Sequence, residues 1–465
     1  MSPEPRRLHR AAIGVFALNT LRQGAFPLLV VVLLGAARGG FDSGALLQSA
    51  IWVLAGTVVS ATVAAWRWAT TTWWVDEQAI HYRTGMLGTK ATDVPLSRIQ
   101  ALDIEQGPIQ RLFGVRAVHV QSGGGGARGE IVLEALDDRE IDALRSLVAG
   151  TAPAVAVDRE PEAERRLGGG RLLVAALTAG QLGVILPVLA AAGQLLDNVV
   201  RSEEDAARLL PQLAHEWVLA AVVLLVAAWL LSVAGALVAF SGFTLAREGD
   251  RLRIRRGLLA RREATVRVDR VRAVEVVEGI LRRPFGLASM RMEVIGHADE
   301  PAAVQALFPL VRRSEVRPLL DAFLPELADD LDRLEPPPRR AARRYALPPV
   351  GLALLVGAVA WILAPVGPWG LLLAAPAVAY GLARHRAAGW RLEDGRLVVR
   401  SLMLARRTLL APAHRRESHT LSQSLLQRRG ELADVAVAFG KSADARVRHL
   451  EAATAAGLFD RLSRI

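Results

Sequence analysis

Cysteine is absent from this chain, and lysine occurs only at Lys90 and Lys441. The first absence removes any disulfide framework, thiol nucleophile or thiolate metal site, so the redox compartment must be argued from topology. The second means that the net charge of +11 is carried almost wholly by arginine. Charge as a whole is scarce at 22% of residues, against 52% apolar, and the apolar residues are bunched into long runs. Such bunching in 465 residues indicates a membrane protein of several domains. The first apolar run is long and lacks a small-residue cleavage site, so it does not read as a removable leader.

Catalytic constellations are also missing. The glycine runs Gly123 to Gly126 and Gly168 to Gly170 lack the lysine and hydroxyl of a phosphate-cradling loop. His414 and His419 are the only close histidines, at a spacing that fits no helical ligand pair. Asp329, Asp330 and Asp332 lack the glycine and closing glutamate of a calcium loop. No enzyme activity, cofactor or metal is therefore expected. Apart from Arg22 and Gln181 the apolar runs are nearly bare of polar groups, which argues against an ion-coupled carrier.

What is present is a repeat. RIQALDIEQGPIQRLFG, Arg98 to Gly114, returns as RVRAVEVVEGILRRPFG, Arg270 to Gly286, with six of seventeen positions identical: Arg98, Ala101, Gly107, Arg111, Phe113 and Gly114 against Arg270, Ala273, Gly279, Arg283, Phe285 and Gly286. A fainter third copy, HRRESHTLSQSLLQRRG, runs from His414 to Gly430, with His414 in place of the leading arginine and Gly430 as the closing glycine. Two apolar segments precede each copy and an amphipathic helix pattern follows it. The chain thus reads as three rounds of membrane hairpin, small β-rich domain and closing helix. The boundaries are hairpins at residues 1–67, 171–241 and 345–384, and β-rich domains at 70–150, 243–326 and 390–465.

About 20 residues cross a hydrocarbon core. Residues 11–35 either begin as an interfacial helix that sinks in after Gly24 or span with Arg22 snorkelling. Leu46 to Trp66 is a cleaner span, closed by an interfacial Trp66-Arg67-Trp68 girdle. Within the first β-rich domain, alternation after Thr70, the Asp76-Glu77-Gln78 turn and the Gly107-Pro108 break predict short strands, and residues 138–148 predict a helix. Residues 151–170 and 336–344 read as linkers. Ser314 is the expected N-cap of the second closing helix, Asp394-Gly395 predicts a hairpin turn, and the chain should end in a helix over about 450–462. Arginine flanks every apolar pair on the side of the β-rich domains, which places both termini and all three domains in the cytoplasm by the positive-inside rule.

A unit of this design with R-[IV]-x-A-x-[DE]-[IV] and a downstream R-x-F-G resembles the bacterial pleckstrin-homology (PH) membrane proteins of the YdbS/YdbT type, in their longer, YdbT-like form. The resemblance covers nearly the whole chain, with the motif strong in two copies and marginal in the third. It implies three PH-like partly open β-barrels, each capped by a C-terminal helix, beside the membrane α-helical hairpins, an α+β design overall. It implies no catalytic residue, and it makes a smaller single-unit relative, or self-association, a plausible partner.

The functional surface to expect is basic. Residues 243–325 hold 16 Arg and Lys against 11 Asp and Glu, and 390–465 hold 14 against 8, while 70–149 hold 8 against 11. Topological bias alone could produce this. The alternative is that Arg251, Arg253, Arg255, Arg256, Arg261, Arg262, Arg406 and Arg407 face anionic lipid headgroups. Nucleic acid is not expected, since no aromatic row interleaves with the arginines. The leading reading is a cell-membrane scaffold for lipid headgroups or proteins. The alternative is a transport or export component regulated by its cytoplasmic domains, with a lipid-modifying enzyme third.

Overall fold

In a computed structural model, the described residues are 5–17, 43–85, 88–122, 131–151, 161–178, 222–223, 225–294, 306–363, 372–440 and 443–465. Much of the first apolar run, Leu172 to Ala192 beyond residue 178, the acidic stretch at Glu203 to Asp205 and the Gly123 to Gly126 loop lie outside them. The chain divides into two compact units, one of Met1–Glu162 with Arg251–Val266 and one of Ala163–Asp250 with Arg267–Ile465.

Unit one opens with β1 (Arg6–Arg7), β2 (Thr72–Val75), β3 (Ala79–Thr84) and β4 (Lys90–Pro95), an antiparallel sheet in that order. The basic N-terminus is therefore not a free flank, because Arg6 lies opposite Trp73. The 28-residue helix Ser43–Thr70 intervenes between β1 and β2. A 3-10 turn, Leu96–Arg98, leads into β5 (Ile99–Gln106), followed by β6 (Arg116–Ser122) and β7 (Ile131–Leu136). Alternation along these strands buries Ile80, Tyr82 and Val94 against Ile104, Val118, Val120 and Leu133. Helix Asp138–Thr151 adds Ile141 and Leu144 to that core.

Unit two repeats the pattern. β8 (Ala163–Arg166) pairs with β9 (Thr244–Glu248), so part of the expected linker 151–170 is a strand that satisfies its backbone on the sheet. β10 (Arg251–Arg256) and β11 (Arg261–Arg267) come next in sequence but belong to unit one, and unit two resumes with β12 (Val271–Glu278), β13 (Leu287–Val294) and β14 (Ala306–Arg312). Helix Arg313–Phe323 closes this copy, and its N-cap position is Arg312, with no side-chain cap. Ser314 sits one residue inside the helix, so the expected cap there is corrected. The third copy comprises β15 (Gly389–Glu393), β16 (Arg396–Leu402), β17 (Arg406–Pro412), β18 (Ser418–Ser422), β19 (Leu432–Ala438) and β20 (Asp444–Glu451). Its two sheets enclose Trp390, Val399, Leu409, Val435, Val437 and Phe439, and the last helix, Ala452–Arg464, closes the core with Leu458 and Leu462.

The copies do not keep their strands to themselves. In unit one β5 pairs with β11, which belongs by sequence to the second copy; Glu105 lies opposite Arg262 and Gln106 opposite Arg261. In unit two β12 pairs with β17 of the third copy; Val277 lies opposite Arg407 and Glu278 opposite Arg406. The 3-10 turns fix the equivalences, since Arg98 to Arg270 is 172 residues and Arg270 to Arg415 is 145. Under those shifts the two joints have the same register, pair for pair.

The same shifts correct the third copy of the signature. Arg415, not His414, occupies the place of Arg270. The left-handed residue that closes the turn is Gly114 (φ 67°) in the first copy, Gly286 (φ 62°) in the second and Glu431 (φ 50°) in the third. Gly430 has φ −100° and lies one position early. Matching on the glycine alone slipped the frame by one residue.

One described helix is long and apolar enough to cross a membrane, Arg339–Ile362, and little of its apolar stretch is buried within the protein. A shorter apolar helix covers Leu225–Phe240.

A candidate anion site lined by arginines

The long apolar helix continues to Leu363 and packs against helix Ala374–Ala387. Their approach is close because Gly381 has no side chain; a Cβ there would lie 2.4 Å from the Ala346 Cα. At the foot of the pair the buried Tyr345 donates its hydroxyl to the Arg448 carbonyl at 3.1 Å and stacks edge-on with His385 and His449. Below it, Glu335 and Trp390 exchange backbone hydrogen bonds of 2.8 and 3.0 Å, so the residue just before the second expected linker is anchored to the sheet.

Between this foot, β16 and β17, and β20 lies a cavity of about 260 Å³. Five arginines line it, Arg384, Arg400, Arg407, Arg446 and Arg448, against two carboxylates, Glu275 and Asp444. The way the arginines are held matters more than the count. Arg384 Nε donates to the Leu402 carbonyl at 3.2 Å, and Arg400 Nε to the Ala387 carbonyl at 2.9 Å. Carbonyls fix geometry without neutralising charge, so both guanidinium groups keep their field. Arg446 reaches the buried Asp434 at 3.0 Å, and Arg407 lies 3.6 Å from Glu275. Arg448 makes no ion pair among the described residues.

The electrostatics agree. Burial presses the Arg400 pKa below its usual value, and Arg406 and Arg313 add to the effect, while the Asp332 and Glu278 carboxylates oppose it. Burial likewise lowers His449; Arg448, Arg344 and Arg446 push the same way, while Asp434 opposes them. A half-enclosed cavity with surplus guanidinium is suited to a phosphate or phosphodiester, which takes forked hydrogen bonds from arginine. It offers no nucleophile with an adjacent base, and among the described residues no three His, Asp or Glu side chains gather as for a metal.

The eight arginines expected from sequence divide between the two units, and several of them are engaged by carboxylates or buried. Six fall in unit one. There Arg253 is held by Glu263 at 2.5 Å, Arg255 is 3.4 Å from the same carboxylate, and Arg262 reaches Glu105 at 2.7 Å. Arg256 is buried, Arg251 half-buried, and Arg261 exposed opposite Gln106. In unit two Arg406 forks onto Glu278, and only Arg407 lines the cavity. Arg384, Arg400, Arg446 and Arg448, which line the cavity, lie outside the set expected from sequence. The alternation that singled out Arg251, Arg253 and Arg255 recurs as Arg446-Val447-Arg448 on β20 and was the available signal.

The signature residues shape an exposed knuckle after β5, β12 and β18. Its fourth residue is polar and buried, and draws the loop inward. Gln110 accepts from the Gly107 amide and donates to the Glu134 carbonyl, and Gln427 forms a capping box with Ser424. Arg282 donates to the Ala175 carbonyl and the Thr178 hydroxyl, both at 2.9 Å. The flanking apolar side chains point outward: Phe113, Phe285, Ile280, Leu281, Leu425 and Leu426 are all exposed, as are Arg111 and Arg283. The Arg270 side chain is half-buried, and that of Arg98 lies outside the described residues.

Comparison with known proteins follows the same three-part division. A family model described as the bacterial PH domain matches residues 19–152, 184–326 and 347–465. The chain is 25% identical to a Bacillus subtilis (strain 168) protein named UPF0699 transmembrane protein YdbT, over 93% of this chain and 92% of that one. No solved structure matches it.

Proposed function

Because the chain belongs to the bacterial PH domain family, with three copies along its length, we propose that it is an integral membrane scaffold whose cytoplasmic PH-like domains engage anionic lipid headgroups, the third through its arginine-lined cavity. The observation that carries this is placement: un-neutralised guanidinium groups open at the foot of the one described helix able to cross a bilayer. A headgroup phosphate sits at that level of a spanning helix. The knuckles support the same reading. Arg344, near the start of that helix, donates to the Leu426 carbonyl at 2.5 Å, which holds the exposed Leu425 and Leu426 beside the foot of the helix. Arg282 ties Ile280 and Leu281 to helix Gly169–Leu177, where the second apolar run begins. The name of the Bacillus relative, a transmembrane protein, supports membrane insertion.

The test uses the full chain in nanodiscs of phosphatidylcholine with a minor share of phosphatidylglycerol. Enrichment of phosphatidylglycerol around the protein is expected, and each of Arg407→Gln and Arg448→Gln should lower it, since an arginine near the surface contributes about 1 kcal/mol. Equal lipid retention by the wild type and the double variant would overturn the headgroup reading. Loss of retained lipid to soluble glycerol phosphate would reassign the cavity to a free phosphate ester.

A further inference from the structure

The two strand joints share a register, and the chain has one further edge of each kind left over. β5 and β12 each carry the next copy's strand on their outer edge, β11 and β17 respectively. β18 is their counterpart in the third copy, and it ends the sheet β18-β19-β20 with no strand beyond it among the described residues. At the other end of the chain β4 is the counterpart of β11 and β17, and it ends the sheet β1-β2-β3-β4. Among the described residues, an acceptor edge and its matching donor edge are thus both open in one polypeptide.

We propose that β4 of a second copy of this chain docks antiparallel on β18, as a third joint of the same kind. This does not depend on the headgroup reading. Carrying both observed registers over by the same shifts gives one pairing: Lys90 opposite Ser422, Ala91 opposite Leu421, Thr92 opposite Thr420, Asp93 opposite His419 and Val94 opposite Ser418. The pairs are compatible. Threonine opposite threonine is a favourable cross-strand pair, and Asp93 and His419, which are bonded to His81 and Ser463 respectively, bring no like charges together. β18 also lacks the usual protections of an open edge, since Ser418-His419-Thr420-Leu421-Ser422 has no proline, lysine or glutamate. All but one of its residues are exposed, and its pairing to β19 shows no bulge. A strand left open in this way is a ready site for strand addition. Because donor and acceptor are different surfaces, the contact is head-to-tail, and it continues until a ring closes.

The absence of cysteine makes the test direct. Ala91→Cys and Leu421→Cys are placed in two separately tagged full-length chains, co-expressed, and mildly oxidised in native membranes. Directly opposed strand residues lie about 4.5 to 5.5 Å apart at Cα, which a disulfide can bridge. A covalent dimer carrying both tags is expected, at least tenfold above the off-register control Ala91→Cys with Ser418→Cys. Thr92→Cys with Thr420→Cys is the second on-register pair, in case one variant folds poorly. Dimer no greater than the control for both pairs would overturn the proposal. So would a doubly substituted Ala91→Cys, Leu421→Cys chain that forms the bond only within itself.

Discussion

Arg406 and Glu278 face each other as direct partners across the β12–β17 joint, and the guanidinium of the first grips both carboxylate oxygens of the second. Glu278 is 1% exposed and is held from its other side by Arg313 at 3.0 Å. The joint between copies is therefore locked by a buried carboxylate between two cations.

Removing that carboxylate leaves two half-buried cations without their counter-ion. Glu278→Gln should cost about 3 to 5 kcal/mol, read as a shift in the denaturation of unit two. The acid limb has a defined sign. Burial pushes the Glu278 carboxyl up, but Arg406 and Arg313 outweigh it and its pKa lies below 4.5. Its stabilisation is present above the unfolded value and lost as pH falls through the folded one.

The matching joint in unit one should be far less sensitive. Arg262 and Glu105 are both partly exposed, so water and salt screen them. Glu105→Gln should change stability by no more than about 1 kcal/mol, and added salt should erase the difference.

Two histidines should give the units opposite responses near neutrality. His449 is held below its ordinary value of 6.5, mainly by burial. The unfolded chain then takes its proton first, and unit two loses stability as pH falls below 6.5. His81 is raised: burial opposes this, but hydrogen bonds to Asp76 and Asp93, 2.8 and 2.7 Å long, prevail. Its contribution is full below 6.5 and fades as pH rises through the folded value. Melting curves of His449→Gln and His81→Gln against pH should flatten the two slopes separately.

The corrected frame of the third copy can be measured. Gly286→Ala forces a side chain into the left-handed region and should cost about 1 to 2 kcal/mol. Gly430→Ala should be nearly silent. Glu431→Gly should relieve a comparable strain of about 1 kcal/mol, less the weak pair with Arg340 that it also removes.

Much of this was legible in the chain and some was not. Strands and closing helices follow from period and turn residues, so Asp394-Gly395 and the 138–148 pattern located their elements. In the third signature Gly430 lies one residue before the left-handed position, which Glu431 occupies, so a glycine does not mark the turn there. Nothing local signals the joints: β11 has the same alternation whether it pairs within its own copy or with β5. The cavity leaves no local trace either. Its arginines run from Arg384 to Arg448 on separate elements, and only folding brings them to one wall.

The pairing of β5 with β11 also constrains how the chain is made. Arg262 and Glu105 are 157 residues apart, so β5 leaves the ribosome with its outer edge uncovered. At ordinary elongation speeds its partner follows roughly 10 to 30 s later, after the intervening apolar run has been made. A chain truncated between the first and second copies would make that interval permanent, and the first copy should then be found with chaperones or in aggregates.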